Sequence, residues 1–140
     1  MISRKKINDF RNLVNEHNFV LSQYRHRDGK NHWNIICSSM DWICVAASYL
    51  EAYPTPLYDE NDDIYSVNVY TYISCIDMIY EAIGQLHTVI FGLPSKSFPY
   101  KGEKTCFSNI LFTADDNAYF KLIRSCFGAH PVNLEDKFTS

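Results

Sequence analysis

The chain has 140 residues, long enough for a single core and too short for two. Hydrophobic residues at 46% and charged residues at 21% exclude a largely disordered protein, while only 5 Gly and 5 Pro fall short of the turn density of a many-stranded sandwich or barrel. A formal charge of −3, from 13 Lys+Arg against 16 Asp+Glu, excludes a blanket electrostatic grip on nucleic acid and leaves only local basic patches.

The N-terminal Met1-Ile2-Ser3-Arg4-Lys5-Lys6 leads into a polar amphipathic stretch rather than an apolar signal core. Five cysteines (Cys37, Cys44, Cys75, Cys106, Cys126) are an odd number without any Cys-x-x-Cys, which points to reduced thiols and a cytoplasmic location. The apolar-rich run from Tyr70 to Phe91 is interrupted by Asp77, Glu81, Gln85 and His87, so no membrane span is expected there. No internal repeat or low-complexity tract divides residues 1–140, which read as one domain, and the abrupt end at Asp136-Lys137-Phe138-Thr139-Ser140 is consistent with a piece of a longer chain.

The first helix is expected from about Ser3, a candidate N-cap, to Tyr24, because Ile7, Phe10, Val14, His17, Leu21 and Tyr24 recur at three- and four-residue steps. Asp28-Gly29 marks a turn. A second helix spans about His32 to Tyr53, with Trp33, Ile36, Cys37, Met40, Ile43, Cys44, Ala47 and Leu50 as its apolar stripe, and Pro54-Thr55-Pro56 ends it. The acidic stretch Asp59 to Asp63 suits the positive end of a third helix. That helix runs to Phe91 with an expected inner face of Ile73, Ile76, Tyr80, Ile83, His87 and Ile90, and His87 is expected as a hydrogen-bonded core residue. Residues 93–112 are irregular, and a last helix starts at Thr113 or Asp115, buries Tyr119, Leu122, Ile123 and Cys126, and is capped by Gly128. The sum is an all-α bundle of four to five helices.

Chemistry concentrates at the end of that last helix. Arg124 and His130 stand six positions apart; on a continuous helix they lie within about 120° of each other and roughly 9 Å apart along the axis. A guanidinium can hold the non-bridging oxygens of a phosphate in a two-pronged contact, and an imidazole can move a proton near neutral pH. Cleavage of RNA by its own 2′-hydroxyl needs those two functions and no metal. The plainer reading makes Arg124 a cation at a helix C-terminus and His130-Pro131 an exit turn.

Arg124-Ser125-x4-His130, near the end of a late helix in a small bundle, resembles the motif of the HEPN domains. The resemblance covers the motif closely and the bundle loosely, and Ser125 stands where the family more often carries Asn, Asp or His. It implies a metal-independent endoribonuclease of toxin–antitoxin, phage-defence or RNA-processing type. It also implies a homodimer whose motifs face each other across a shared cleft, with an antitoxin as an eventual partner. His130 would shuttle the proton, Arg124 would stabilise charge on the phosphorane, and Ser125 would support them.

On the third helix, Ser74, Asp77, Glu81, Gln85 and Thr88 form a polar stripe. Asp77 or Glu81 could orient Arg124 or His130, although a solvated face is the simpler expectation. Arg25, Arg27, Lys30 and His32, next to Tyr24 and Trp33, mix cations with aromatics as a single-stranded RNA grip does; solvated helix-connecting loops look much the same. No complete metal-ligand set is present: Cys126/His130 and Asp77/Glu81 are lone pairs, and no cofactor motif occurs. A non-catalytic helical domain that binds a nucleotide, nucleic acid or a partner protein is the alternative, and a metal-dependent nucleotide hydrolase is the third.

Overall fold

The computed structural model describes residues 3–16, 18–92, 102–107 and 115–127. These form five α-helices: α1 (Arg4–Glu16), α2 (Asn18–Arg25), α3 (His32–Ala52), α4 (Asp62–Phe91) and α5 (Asp116–Phe127), with a 3-10 turn at Arg27–Gly29 between α2 and α3. There is no strand among the described residues, so the all-α class holds. The first expected helix is helical on both sides of residue 17, which lies outside the described residues along with Gly128, His130 and most of the irregular stretch.

Local chemistry sets the helix ends. Ser3 Oγ accepts from the Lys6 N–H at 3.4 Å, as its reading as an N-cap requires. Asp28 and Gly29 both take positive φ, which turns the chain into α3, and Asn31 caps that helix by accepting from the Asn34 N–H at 3.3 Å. Asn61 caps α4 by accepting from the N–H groups of Asp63 and Ile64, with Asp62 and Asp63 in the first turn. Gly92, at φ +63, ends α4 in the left-handed conformation and donates its N–H to Thr88 O. Arg27 Nη1 donates to the neighbouring Val89 carbonyl at 3.2 Å, which satisfies an orphan acceptor of that last turn.

The antiparallel pair α3–α4 is the main packing unit; α1 and α2 lie on α3, and α5 lies on α4. The core joins Val14, Ile36, Met40, Ile43, Ala82, Leu86 and Val89, with Ile7, Phe10, Val20, Tyr24, Trp33 and Ile90 packed against it. α3 is the one described helix long and apolar enough to cross a membrane by length and composition, yet it buries Ile36, Ser39, Met40, Ile43, Ala46 and Ala47 inside the bundle. On α4 the buried line is Cys75, Ala82, Leu86 and Val89, which corrects the expected face of Ile73 to Ile90. The helix is apolar around most of its circumference, so periodicity alone misplaces the inward direction. Arg4 bonds Ser48 and Glu51, and Arg11 pairs with Asp41 at 2.8 Å, tying α1 to α3 from the rim.

α5 adds no residue to that core and is held by other means. Asp115 caps it through the Ala118 N–H and accepts from the Gly102 N–H, while Asp116 accepts the N–H groups of Thr105, Cys106 and Phe107. Those backbone donors, that of Cys106 foremost, hold the Asp116 carboxyl below the usual carboxylate range. Rings complete the attachment, Tyr80–Phe120 at 6.2 Å and Phe107–Tyr119 at 4.7 Å between centroids.

Two outcomes follow. Ile36 is 1% exposed, so Ile36→Ala should cost about 2–5 kcal/mol in urea unfolding. The contribution of Asp116, whose folded pKa is depressed, is present above its unfolded pKa and lost as pH falls through the folded one. Amide exchange at Thr105, Cys106 and Phe107 should therefore be protected at neutral pH, lose protection on acidification, and be unprotected throughout in Asp116→Ala. Unchanged protection in that variant would contradict the clasp.

Candidate functional site

Arg124 sits in the last turn of α5, which crosses the middle of α4. Its Nη1 donates to both oxygens of Asp77, at 2.9 and 3.0 Å, and lies 3.7 Å from Glu81 Oε1. Asp77 and Glu81 are four residues apart and so share one face of α4. The Asp77 side chain is only 22% exposed, whereas Arg124 is 43% and Glu81 52% exposed. The expectation of a solvated polar stripe therefore fails at Asp77, because α5 covers it.

Every one of these contacts uses Nη1. Among the described residues no hydrogen bond or ion pair engages Nη2 or Nε, and the side chain as a whole is 43% exposed. The neighbouring carboxylate, bonded and attractive, raises the Arg124 pKa, with Glu81 adding to the effect. The guanidinium is therefore fully charged and fixed in direction. Ser125 Oγ donates to the Leu122 carbonyl one turn back, a local helical bond. Burial pushes the Tyr80 phenol up, and the charges of Glu81, Asp115 and Asp77 push it further. His130 lies outside the described residues, so its placement beside Arg124 rests on sequence spacing alone.

The basic set is elsewhere. Arg27 points its guanidinium at the end of α4, packed 5.5 Å over the Tyr24 ring and bonded to Val89 O. It performs a structural task there. His32 is the first residue of α3, and its Nδ1 is buried without a hydrogen-bond partner among the described residues. Arg25 and Lys30 are exposed. From Asp77 to Val89 is twelve residues of helix, about 18 Å, so this loop and Arg124 do not form one site within a single chain. Among the described residues no group of three or more His, Cys, Asp or Glu side chains could hold a metal ion.

Next to Arg124 runs a groove of about 630 Å³ between α3 and α4, lined by Asn34, Ser38 and Trp42 on one side and Asp77, Glu81 and Gln85 on the other. Sequence reading missed the α3 wall. The available signal was Trp42 itself, a large aromatic off the apolar stripe of its helix, and it is 51% exposed.

Comparison with protein-family models, with curated proteins and with solved structures finds no match to this chain.

One outcome tests the geometry directly. In a four-member cycle of wild type, Asp77→Asn, Arg124→Met and the double variant, urea unfolding should give a coupling of about 1 kcal/mol. A coupling near zero would contradict a directed ion pair.

Proposed function

We propose that this chain is a HEPN-like, RNA-acting helical domain that cleaves its substrate without a metal, by transesterification from the 2′-hydroxyl. The observation that carries the reading is Arg124: hydrogen-bonded through Nη1 to Asp77, with Glu81 at 3.7 Å and no described residue bonded to its Nη2–Nε edge. That edge matches the paired non-bridging oxygens of a phosphate, and prior fixation means little ordering is needed when the phosphate arrives.

In the proposed reaction His130 takes the proton from the 2′-hydroxyl, whose oxygen attacks the adjacent phosphorus. A pentavalent phosphorane forms, and Arg124 stabilises its negative charge. The bond to the 5′-oxygen breaks, that oxygen receives a proton, and a 2′,3′-cyclic phosphate remains. Ser125 is a supporting polar group, Asp77 holds the direction of Arg124, and Glu81 adds to its charge environment. Arg25 and Lys30 contribute phosphate contacts at the other end of α4, on a longer RNA or across a homodimer. Large apolar side chains that remain exposed, among them Val45, Val67 and Phe91, support burial against a second copy. A cytoplasmic setting and an antitoxin partner belong to the same reading.

The alternative is a non-catalytic binding domain, and one observation favours it. Arg124, Asp77 and Glu81 together carry one net negative charge, and the ion pair by itself suffices to strap α5 to α4. Cleavage of a fluorescent single-stranded RNA separates the two. His130→Ala should lower the rate about a hundred- to ten-thousand-fold at unchanged thermal stability. Arg124→Lys should rescue poorly against Arg124→Ala, since an ammonium cannot supply a planar fork. Activity should persist in EDTA. A wild type inert on RNA, or equal rates in wild type and His130→Ala, would overturn the catalytic reading in favour of the binding domain. Loss in EDTA with recovery in magnesium would favour the metal-dependent hydrolase.

A further inference from the structure

The groove beside Arg124 has no part in the proton transfers above, yet its wall is continuous with the residues that hold Arg124. We infer that it is a base-recognition subsite that takes guanine, the base on the 5′ side of the phosphate bound by Arg124. The placement of that phosphate rests on the proposed function; the recognition of the base rests on the groove.

Size and charge set the first limits. The α4 wall runs from Asp77 to Gln85, eight residues or about 12 Å, the reach of one nucleoside rather than of a longer segment. Two carboxylates in the wall repel a phosphate, so the part of a nucleotide that enters is its uncharged base. The phosphate stays outside, toward Arg124, which pairs with Asp77 and Glu81 of that wall. Trp42, half exposed along the groove, offers a ring face on which a base can stack.

Hydrogen bonding then selects the base. Both oxygens of Asp77 are occupied by Arg124, at 2.9 and 3.0 Å. Glu81 is held only loosely, at 3.7 Å and 52% exposed, so it is the carboxylate with oxygens to spare. An ionised carboxylate only accepts, and its two oxygens suit two adjacent N–H donors. Among the four RNA bases, only guanine places two donors side by side on its pairing edge, at N1 and the exocyclic N2. Adenine and cytosine offer one exocyclic amino group beside an acceptor. Uracil presents one N–H between two carbonyls, which a carboxylate repels. Asn34, Ser38 and Gln85 supply mixed donors and acceptors within the same groove for O6 and N7. An arginine side chain of a partner protein could also match Glu81, but it would bring a second guanidinium against Arg124.

The test is calorimetric titration of the whole chain with the 3′-monophosphates of guanosine, adenosine, cytidine and uridine, and with N-acetylargininamide. Guanosine 3′-monophosphate should bind at least about tenfold more tightly than the others. Trp42→Ala should weaken it by roughly ten- to a hundredfold, and Glu81→Gln should abolish the preference for guanine. Equal binding of the four nucleotides, no binding at all, an unchanged preference in Glu81→Gln, or binding of N-acetylargininamide instead would each overturn the subsite. RNA cleavage and guanine binding give distinguishable outcomes. An inert wild type that still binds guanosine 3′-monophosphate with these dependences keeps the subsite and loses the nuclease. Cleavage that shows no excess of guanosine 2′,3′-cyclic phosphate ends overturns the subsite and keeps the nuclease.

Discussion

The antiparallel packing of α3 against α4 is the constraint on which everything else rests. Ile36, Met40 and Ile43 meet Ala82, Leu86 and Val89 there, and no other pair of helices shares as much contact. Small residues are part of the packing of these helices: Ala46 and Ala47 of α3 and Ala82 of α4 are almost fully buried. With one side of that pair closed by α1 and α2, the other side remains a groove, and α4 projects its Asp77–Glu81 turn toward it. The direction in which Asp77 points is thus a consequence of which α4 residues are buried. The candidate site inherits its geometry from the core without belonging to it.

α5 is attached by a different kind of force. Among the described residues its contacts include the ion pair of Arg124 with Asp77 and Glu81, backbone N–H groups gathered by Asp115 and Asp116, and two ring contacts. Partly exposed polar contacts of this sort each contribute about 1 kcal/mol or less, far less than the buried apolar surface between α3 and α4. Local opening of α5 should therefore be much easier than unfolding of the bundle. Under the proposed function, this places Arg124 on an element that opens more easily than the α3–α4 scaffold beneath it. Asp77, only 22% exposed and taking both hydrogen bonds, sets the direction of Arg124, while Glu81 at 3.7 Å adds charge.

Much of this was legible in the sequence, for identifiable reasons. The Asp28-Gly29 turn, the Pro54-Thr55-Pro56 stop and the acidic stretch Asp59 to Asp63 are local signals, so the bounds of α3 and α4 could be read within a few positions, whereas the capping roles of Asn31 and Asn61 came only with the structure. The stripe of α3 was legible because polar residues interrupt it. That of α4 was not, because isoleucine, tyrosine and valine surround the helix and only the third dimension selects among them. The i, i+4 pairing of Asp77 and Glu81 placed both on one face, and Arg124 was a natural partner by charge. That α5 would bring it there depends on a packing 47 residues away in sequence, which no local pattern records. Arg27 misled in the opposite sense. A cation beside an aromatic reads as a ligand grip, but its guanidinium closes the carbonyl end of α4. Trp42 was passed over although it stands off the apolar stripe of α3; its meaning lies in being left outside the core.

The central claim is that Arg124 is anchored by one nitrogen so that its remaining edge can hold a phosphate. Nitrogen-15 spectroscopy of arginine side chains reports on that edge directly, with the Arg124 Nε–H signal assigned from its loss in Arg124→Lys. A short RNA with 2′-O-methyl groups cannot be cleaved, because its nucleophile is blocked, and it leaves the phosphates unchanged. On adding it, the Arg124 Nε–H resonance should shift and sharpen as the fork closes on a phosphate. The Arg11 resonance, whose guanidinium already faces Asp41, should stay in place. An Arg124 signal that does not move at saturating RNA, or that moves only together with every other arginine, would contradict the claim and leave Arg124 as the strap that holds α5 to α4.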